Sequence, residues 1–346
     1  MANYLCIDAG FTLTRFAVVT PQGMGPISQL RTIDLHSSPS LPPDRKRALW
    51  LSWLAQAIAD QFPASGTIER IGLSLPGPVE ADGAIAAANS LWGQASRPLL
   101  AADLSAALGH PTIARNDIFA ASTYYGTEAA EDDHDTTLIL SVGSGIGSKL
   151  YDRRSGGVVS GRRGLDGEIG FSVVETGEDA ARTLDGTMVG TLGLYASGSG
   201  FARMARAEAA RQPDAFSDSR LAALLDEAGF DVQSADRFDV NAAAIAAIAS
   251  DDPFTTQILQ QSVAYLARAL HIVILFAAPD RVVLTGGFAL AIGASYRELL
   301  IDQLEGQLRP LHSRRAIEDM ITLGLADGTE NLRGMAIHLS ALDEQR

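Results

Sequence analysis

The chain of 346 residues has a single cysteine, Cys6, which excludes an internal disulfide and a thiolate-rich zinc site. Such usage belongs to a reducing compartment, so a cytoplasmic location is expected. Positive charge is also scarce: 27 Lys and Arg stand against 41 Asp and Glu, a net charge of −14. A nucleic-acid surface needs clustered basic side chains against phosphates, so no nucleic-acid partner is expected. A single nucleotide is not excluded by this deficit, because it needs only a local amide-lined site. No basic leader or cleavable apolar stretch precedes the first strand pattern at Tyr4 to Asp8. The longest apolar run, Ile272 to Pro279, is too short to span a bilayer, and no membrane partner is expected.

What is present is an ordinary globular composition, 47% hydrophobic and 20% charged, with 33 glycines spread along the chain. The length suggests roughly two domains. Tyr4 to Asp8, Phe16 to Val19 and Ile27 to Leu35 read as strands. Pro42-Pro43 opens a helix whose apolar stripe is Leu49, Trp53, Leu54, Ile58 and Phe62. Ile71 to Leu75 is a buried strand, Leu99 to Leu108 a helix, and Thr112 to Ala114 a strand running into Asn116-Asp117 and a further helix. Leu138 to Val142 and Ile146 to Tyr151 form a hairpin pinched by glycines, and a loop-rich stretch follows from Arg153 to Gly198. A long helix from about Phe254 to Ala278, a strand at Arg281 to Leu284 and a closing helix at Leu332 to Leu342 complete the pattern. Strands alternating with helices predict α/β architecture with a partly parallel sheet. The strand order near residue 4 recurs near residue 137, as in a duplicated unit.

The polar residues that could carry chemistry sit at the ends of these strands. Asn116-Asp117 puts a carboxylate at the head of a helix, where it could serve as a base or cap the helix. Asp8-Ala9-Gly10-Phe11-Thr12 and Val142-Gly143-Ser144-Gly145-Ile146-Gly147 follow strands and can turn backbone amides toward an anion; each could equally be a plain hairpin turn. Asp8 could hold Mg²⁺ through water. Thr285-Gly286-Gly287 lies between a strand and a helical stretch, where a nucleotide could rest on amides or a turn simply pack closely. Glu168, between Gly167 and Ile169-Gly170, could bind hydroxyls, as could Asn89 ahead of Trp92. A carboxylate base flanked by two phosphate-holding turns is what phosphoryl transfer to an alcohol needs.

Taken in order, these segments resemble the ROK family of repressors and sugar kinases. The resemblance runs through Ile7-Asp8-Ala9-Gly10, Leu75-Pro76-Gly77-Pro78-Val79, Asn89 to Gly93, Asn116-Asp117, Gly143 to Gly147, Gly167 to Gly170, Tyr195 to Gly198 and Val283 to Gly287. It implies the two-lobed actin-like, hexokinase-like (ribonuclease H-like) ATPase fold, with a cleft that closes on substrate. A small lobe at 1–116, with the closing helix of about 331–346 packed back on it, would precede a large lobe at 117–330. The resemblance makes Asp117 the general base toward a primary hydroxyl. Asn116, Asn89 and Glu168 become ligands of ring hydroxyls, and Gly77 a backbone contact. Asp8, Gly10 and Thr12 form the first phosphate loop, Gly143, Ser144 and Gly145 the second, and Gly286-Gly287 the nucleotide turn. ATP and Mg²⁺ are the implied cofactors, and a homodimer is among the assemblies the family allows.

Departures from the family pattern narrow the acceptor. Phe171 stands at the histidine that ends the Gly-Glu-Ile-Gly motif, and the zinc-binding cysteines fall at Leu184, Gly186 and Thr191. No zinc is therefore expected, and the loop is expected to be held by packing alone. A sugar-binding glutamate falls at Gly193. Burying an anomeric hydroxyl beside Phe171 without a partner would cost roughly 1–3 kcal/mol. A C7-cyclitol of the valiolone or valienol type, which keeps the hydroxymethyl arm but alters the ring, avoids that cost. ROK-type kinases of such cyclitols occur in antibiotic biosynthesis, in pathways to pseudo-sugars. A hexose or N-acylhexosamine is the competing acceptor. A repressor would need a DNA-binding domain before the first strand. A non-catalytic sugar sensor is the other rival, since Phe11 occupies a position usually held by glycine in the first phosphate loop.

Overall fold

All six residues of Tyr4–Ala9 (β1) are buried. Their alternation sends Leu5 and Ile7 into one apolar layer and Tyr4 and Cys6 into another. A strand buried on both faces requires helices on both sides of its sheet. The computed structural model of the chain, which describes residues 3–35, 41–62, 68–80, 83–85, 91, 100–128, 134–183, 186–309 and 311–344, has that arrangement. β1 pairs antiparallel with Leu13–Thr20 (β2) and parallel with Arg70–Leu75 (β5), which pairs parallel with Thr112–Asn116 (β6). Gly23–Met24 (β3) and Ser28–Arg31 (β4) both add to β2, so the third strand expected at Ile27 to Leu35 is shorter, and a further two-residue strand precedes it.

Pro43–Gln61 (α1) and Leu100–Leu108 (α2) cover the Leu5 and Ile7 face. Asp117–Glu128 (α3) and Glu330–Glu344 (α13) cover the other, through Ala120, Leu332, Met335 and Leu339. A Cβ at Gly334 would come 1.7 Å from the carbonyl oxygen of Ala120, so α13 and α3 touch backbone to backbone. The buried stripe of α1 is Trp50, Leu54, Ala57 and Ile58, while Leu49 is 36% exposed. Of the expected stripe, Leu54 and Ile58 are buried, and Trp53 and Phe62 pack partly buried on the same core. Trp50 takes the place of Leu49, because its i, i+4, i+7, i+8 series with Leu54, Ala57 and Ile58 fits the helical period.

Two compact units emerge: Met1–Asp135 with Tyr151–Asp166 and Thr329–Arg346, and Thr136–Leu150 with Gly167–Gly328. This differs from a division at 116/117. The helix headed by Asp117 stays with the first unit because its buried face packs on α13.

In the second unit Thr136–Val142 (β7) lies between Ile146–Asp152 (β8) and Arg281–Thr285 (β10), and Ile321–Leu323 (β11) is beyond β10. β7, β10 and β11 are parallel. β8 runs on into the first unit, where Tyr151 and Asp152 pair with Gly157–Val158 (β9). The helices of the second unit are Gly193–Ala196 (α4), Gly198–Arg211 (α5), Pro213–Ser217 (α6), Arg220–Glu227 (α7), Arg237–Ile248 (α8), Pro253–Ala277 (α9), Gly287–Ile292 (α10), Ala294–Leu308 (α11) and Arg314–Met320 (α12). The apolar run at residue 272 proves to be the end of α9, a 25-residue helix that is long and apolar enough to cross a membrane. Its Ile258, Val263, Leu266 and Leu270 are buried in the core of the unit.

Candidate active site

In the first unit the parallel register sets Asp8 beside Ser74, Ser74 beside Arg115, and Leu75 beside Asn116. The carboxyl ends of β1, β5 and β6 therefore carry Asp8, the Pro76-Gly77 turn and Asn116-Asp117 side by side. That edge of an open α/β sheet is where ligands bind. Asn116 is 6% exposed. Its Nδ2 donates to the carbonyl oxygen of Gly77 and to Oδ1 of Asp117, each at 3.0 Å. Its Oδ1 accepts from the amide of Phe119 at 3.1 Å, capping α3. The amide of Ile118 also donates to Oδ1 of Asp117, at 2.8 Å. The partly exposed Asp117 carboxylate is thus oriented from two sides at a helix N-terminus, where negative charge is favoured. With both amide hydrogens of Asn116 engaged, its capacity toward a ring hydroxyl lies in the carbonyl oxygen.

Asp8 faces α13, as the alternation of β1 requires, and is 5% exposed. Its Oδ1 accepts from Nδ2 of Asn331 at 2.9 Å and Oγ of Ser74 at 3.1 Å. Its Oδ2 is 3.4 Å from the guanidinium of Arg15, directly across on β2. Burial pushes the Asp8 carboxyl above its ordinary range, and the donors from Asn331, Arg15 and Ser74 pull against that. Three of the roughly four acceptor positions of a carboxylate are filled, so water-mediated contact with Mg²⁺ fits this group better than direct ligation. The turn after it is closed by Gly10, whose amide donates to the Leu13 carbonyl at 3.0 Å. Thr32 bonds to the Gly10 carbonyl at 2.8 Å, and Thr12 is exposed.

In the second unit the amide of Gly198, at the start of α5, donates to the Gly143 carbonyl at 2.8 Å. A Cβ on Gly143 would lie 3.9 Å from the amide nitrogen of Gly287, so these three glycine segments adjoin. Gly286 holds φ at +93° with the backbone of Val142 only 2.5 Å from where a Cβ would be, so no other residue fits. A Cβ on Gly145 or Gly287 would meet nothing within 4 Å. Ser144 and Gly145 are exposed. Bare backbone flanked by open space is a fitting cradle for phosphates, with the start of α5 beside it.

Glu168 also belongs to the second unit, in a turn laid against β8: the Gly167 carbonyl accepts from the amide and hydroxyl of Ser148. A Cβ at Gly193 would come 3.4 Å from the Gly170 carbonyl, so Gly193 adjoins the turn that carries Glu168 and Phe171. Phe171 is 50% exposed. Asn89 and Leu184 lie outside the described residues. The loop toward Thr191 is held by more than packing. The amides of Val174 and Glu175 donate to the Gly190 carbonyl, that of Gly190 to Ala181, and that of Thr183 to Met188. The amide of Ala181 donates to the Tyr195 hydroxyl at 2.7 Å, and Tyr265 lies on Tyr195 with ring centroids 4.3 Å apart. Loop backbone must find partners, and here the loop bonds to itself and to a tyrosine. Among the described residues no three His, Cys, Asp or Glu side chains gather as metal ligands.

The pattern of the ROK family matches residues 4–328. The chain belongs to the ROK family. This ROK protein is 33% identical over 302 residues to the C(7)-cyclitol 7-kinase of Streptomyces hygroscopicus subsp. limoneus, covering 86% of this chain and 82% of that protein. Its fold is similar to that of the ROK hexokinase from Thermus thermophilus, with a TM-score of 0.68, 22% identity and 99% of both chains covered. A ROK family glucokinase from Streptomyces griseus, in complex with glucose and AMPPNP, gives a TM-score of 0.69 at 18% identity over 97% of this chain and 98% of that one. The actin-like, hexokinase-like ATPase fold expected from sequence is the fold found. Residues unnamed by the sequence reading are Ser74, Asn331, Thr32 and Asn241, which donates to the Gly198 carbonyl at 3.0 Å. Register alone could have suggested Ser74; nothing local ties residue 331 to residue 8.

Proposed function

We propose that this ROK protein is an ATP-dependent kinase of the primary hydroxyl of a C7-cyclitol of the valiolone or valienol type, with Asp117 as general base. The observation that carries this is the fixing of Asp117 by Asn116, itself tied to Gly77, at the carboxyl ends of β5 and β6. Asp117 takes the proton of the alcohol as its oxygen bonds to the terminal phosphorus of ATP and the bond to the departing ADP breaks. Asn116 keeps the carboxylate turned, and Glu168 takes ring hydroxyls. Ser144, Gly145, Gly286 and Gly287 offer amides to the phosphates, Gly143 shapes their turn by donating its own amide to the Gly145 carbonyl at 3.0 Å, and Asp8, Gly10 and Thr12 form the other phosphate loop. Asp8 would hold Mg²⁺ through water, and the ion, when bound, would supply neutralisation of phosphate charge.

The acceptor is favoured by the likeness to a C(7)-cyclitol 7-kinase and by Phe171 and Gly193, which offer an anomeric hydroxyl no polar side chain. A hexose or N-acylhexosamine is the second reading, favoured by the fold shared with a hexokinase and a glucokinase. The test is phosphorylation with ATP and Mg²⁺ of a valiolone-type cyclitol, glucose and N-acetylmannosamine. The cyclitol should have the highest kcat/KM. Preference for glucose overturns the acceptor, and binding without turnover on all three makes the protein a sugar sensor.

A further inference from the structure

We propose that Asn331 is a positioning residue for Asp8: by donating Nδ2 to Oδ1, it holds that carboxylate for water-mediated contact with the metal of a metal–nucleotide substrate. The inference rests on the phosphate-loop reading of Asp8 given above.

The geometry starts from α13. Its far end is fixed at the beginning of β1 and β5, where Asp343 accepts from the Tyr4 hydroxyl at 2.7 Å and pairs with Arg70 at 2.8 Å. Leu332, Met335 and Leu339 are fully buried between these anchors and the start of the helix. The helix therefore runs antiparallel to β1, and its first turn arrives at the carboxyl end of the strand, where Asn331 meets Asp8 at 2.9 Å. Asn331 and Ser74 share Oδ1, while Arg15 approaches Oδ2. A carboxylate gripped on both oxygens cannot rotate, and its remaining acceptor position points in one direction.

A merely anchoring role for this bond would appear in stability and nowhere else. Tyr4→Phe supplies the comparison, because it removes an anchor of the same helix far from Asp8. Wild type, Tyr4→Phe, Asn331→Ala and the volume-matched Asn331→Leu are titrated with Mn²⁺ plus a non-hydrolysable ATP analogue, followed by electron paramagnetic resonance. Thermal unfolding is recorded in parallel. Both Asn331 variants should bind Mn²⁺–nucleotide ~10-fold more weakly, as expected for losing a hydrogen bond to a charged group. Tyr4→Phe should lose stability only. Folded Asn331 variants with unchanged Mn²⁺ affinity overturn the proposal. So does an equal loss of affinity in Tyr4→Phe, or failure of both Asn331 variants to fold. Wild type that binds no Mn²⁺–nucleotide fails the phosphate-loop reading itself, a result visible before any variant is compared.

Discussion

Asn116 donates its Nδ2 to Oδ1 of Asp117 at 3.0 Å while its own Oδ1 caps the helix that Asp117 begins. One side chain thus sets both the start of α3 and the orientation of the proposed base. Asn116→Ala should separate these roles. Loss of the cap costs ~1 kcal/mol of stability. Loss of orientation should lower kcat with little change in KM for the acceptor. Steady-state kinetics with parallel thermal unfolding measures both; a change in KM alone would make Asn116 a substrate ligand instead.

Specificity should be reversible at two positions. Phe171 is half exposed, and a Cβ at Gly193 makes only an ordinary contact with the Gly170 carbonyl. The double variant Phe171→His with Gly193→Glu should therefore fold. Its ratio of kcat/KM for glucose over cyclitol should rise by ~10-fold or more, the effect of one restored hydrogen-bonding group. An unchanged ratio would mean that the acceptor is chosen elsewhere.

His338 makes stability depend on pH. Burial pushes its imidazole down from 6.5 to about 4, and the charge of Arg115 acts in the same direction. Its ring lies edge-on to Phe119, with Nε2 buried and unpartnered. The folded protein keeps this base neutral where the unfolded chain protonates it. Stability should be full above pH 6.5 and fall as the pH approaches about 4. The loss over that interval is up to roughly 3 kcal/mol. Denaturant unfolding of His338→Gln should show a flatter profile between those limits; an equal slope would assign the dependence to other groups.

Asp8 should act with the opposite sign. A carboxyl whose folded value is raised binds its proton more tightly in the folded state, so stability falls as pH rises from 3.8 through that value. Asp8→Asn does not titrate. Its unfolding free energy relative to wild type should improve as the pH is raised from acid to neutral, and its affinity for Mn²⁺–nucleotide should drop. A difference independent of pH would contradict the cost of the buried charge.

Much of this was legible in the sequence because it is local. The strand end at Leu75, the turn at Gly286 and the start of α1 at Pro43 are each fixed by a few neighbouring residues. The family resemblance supplied order and roles that no single turn could. What was hidden is tertiary. The exchange of Leu49 for Trp50 in the stripe of α1 depends on which of the two the sheet accepts. The assignment of α3 to the first unit depends on α13, more than two hundred residues later. The bond from Asn331 to Asp8 spans 323 positions, and no pattern near either residue announces it.

The most direct measurement is turnover and acceptor binding of Asp117→Asn, which keeps the shape of the side chain and removes the base. The account predicts kcat lower by ~10²-fold or more, with the acceptor Kd from calorimetry changed only a few-fold. An unchanged kcat would contradict it.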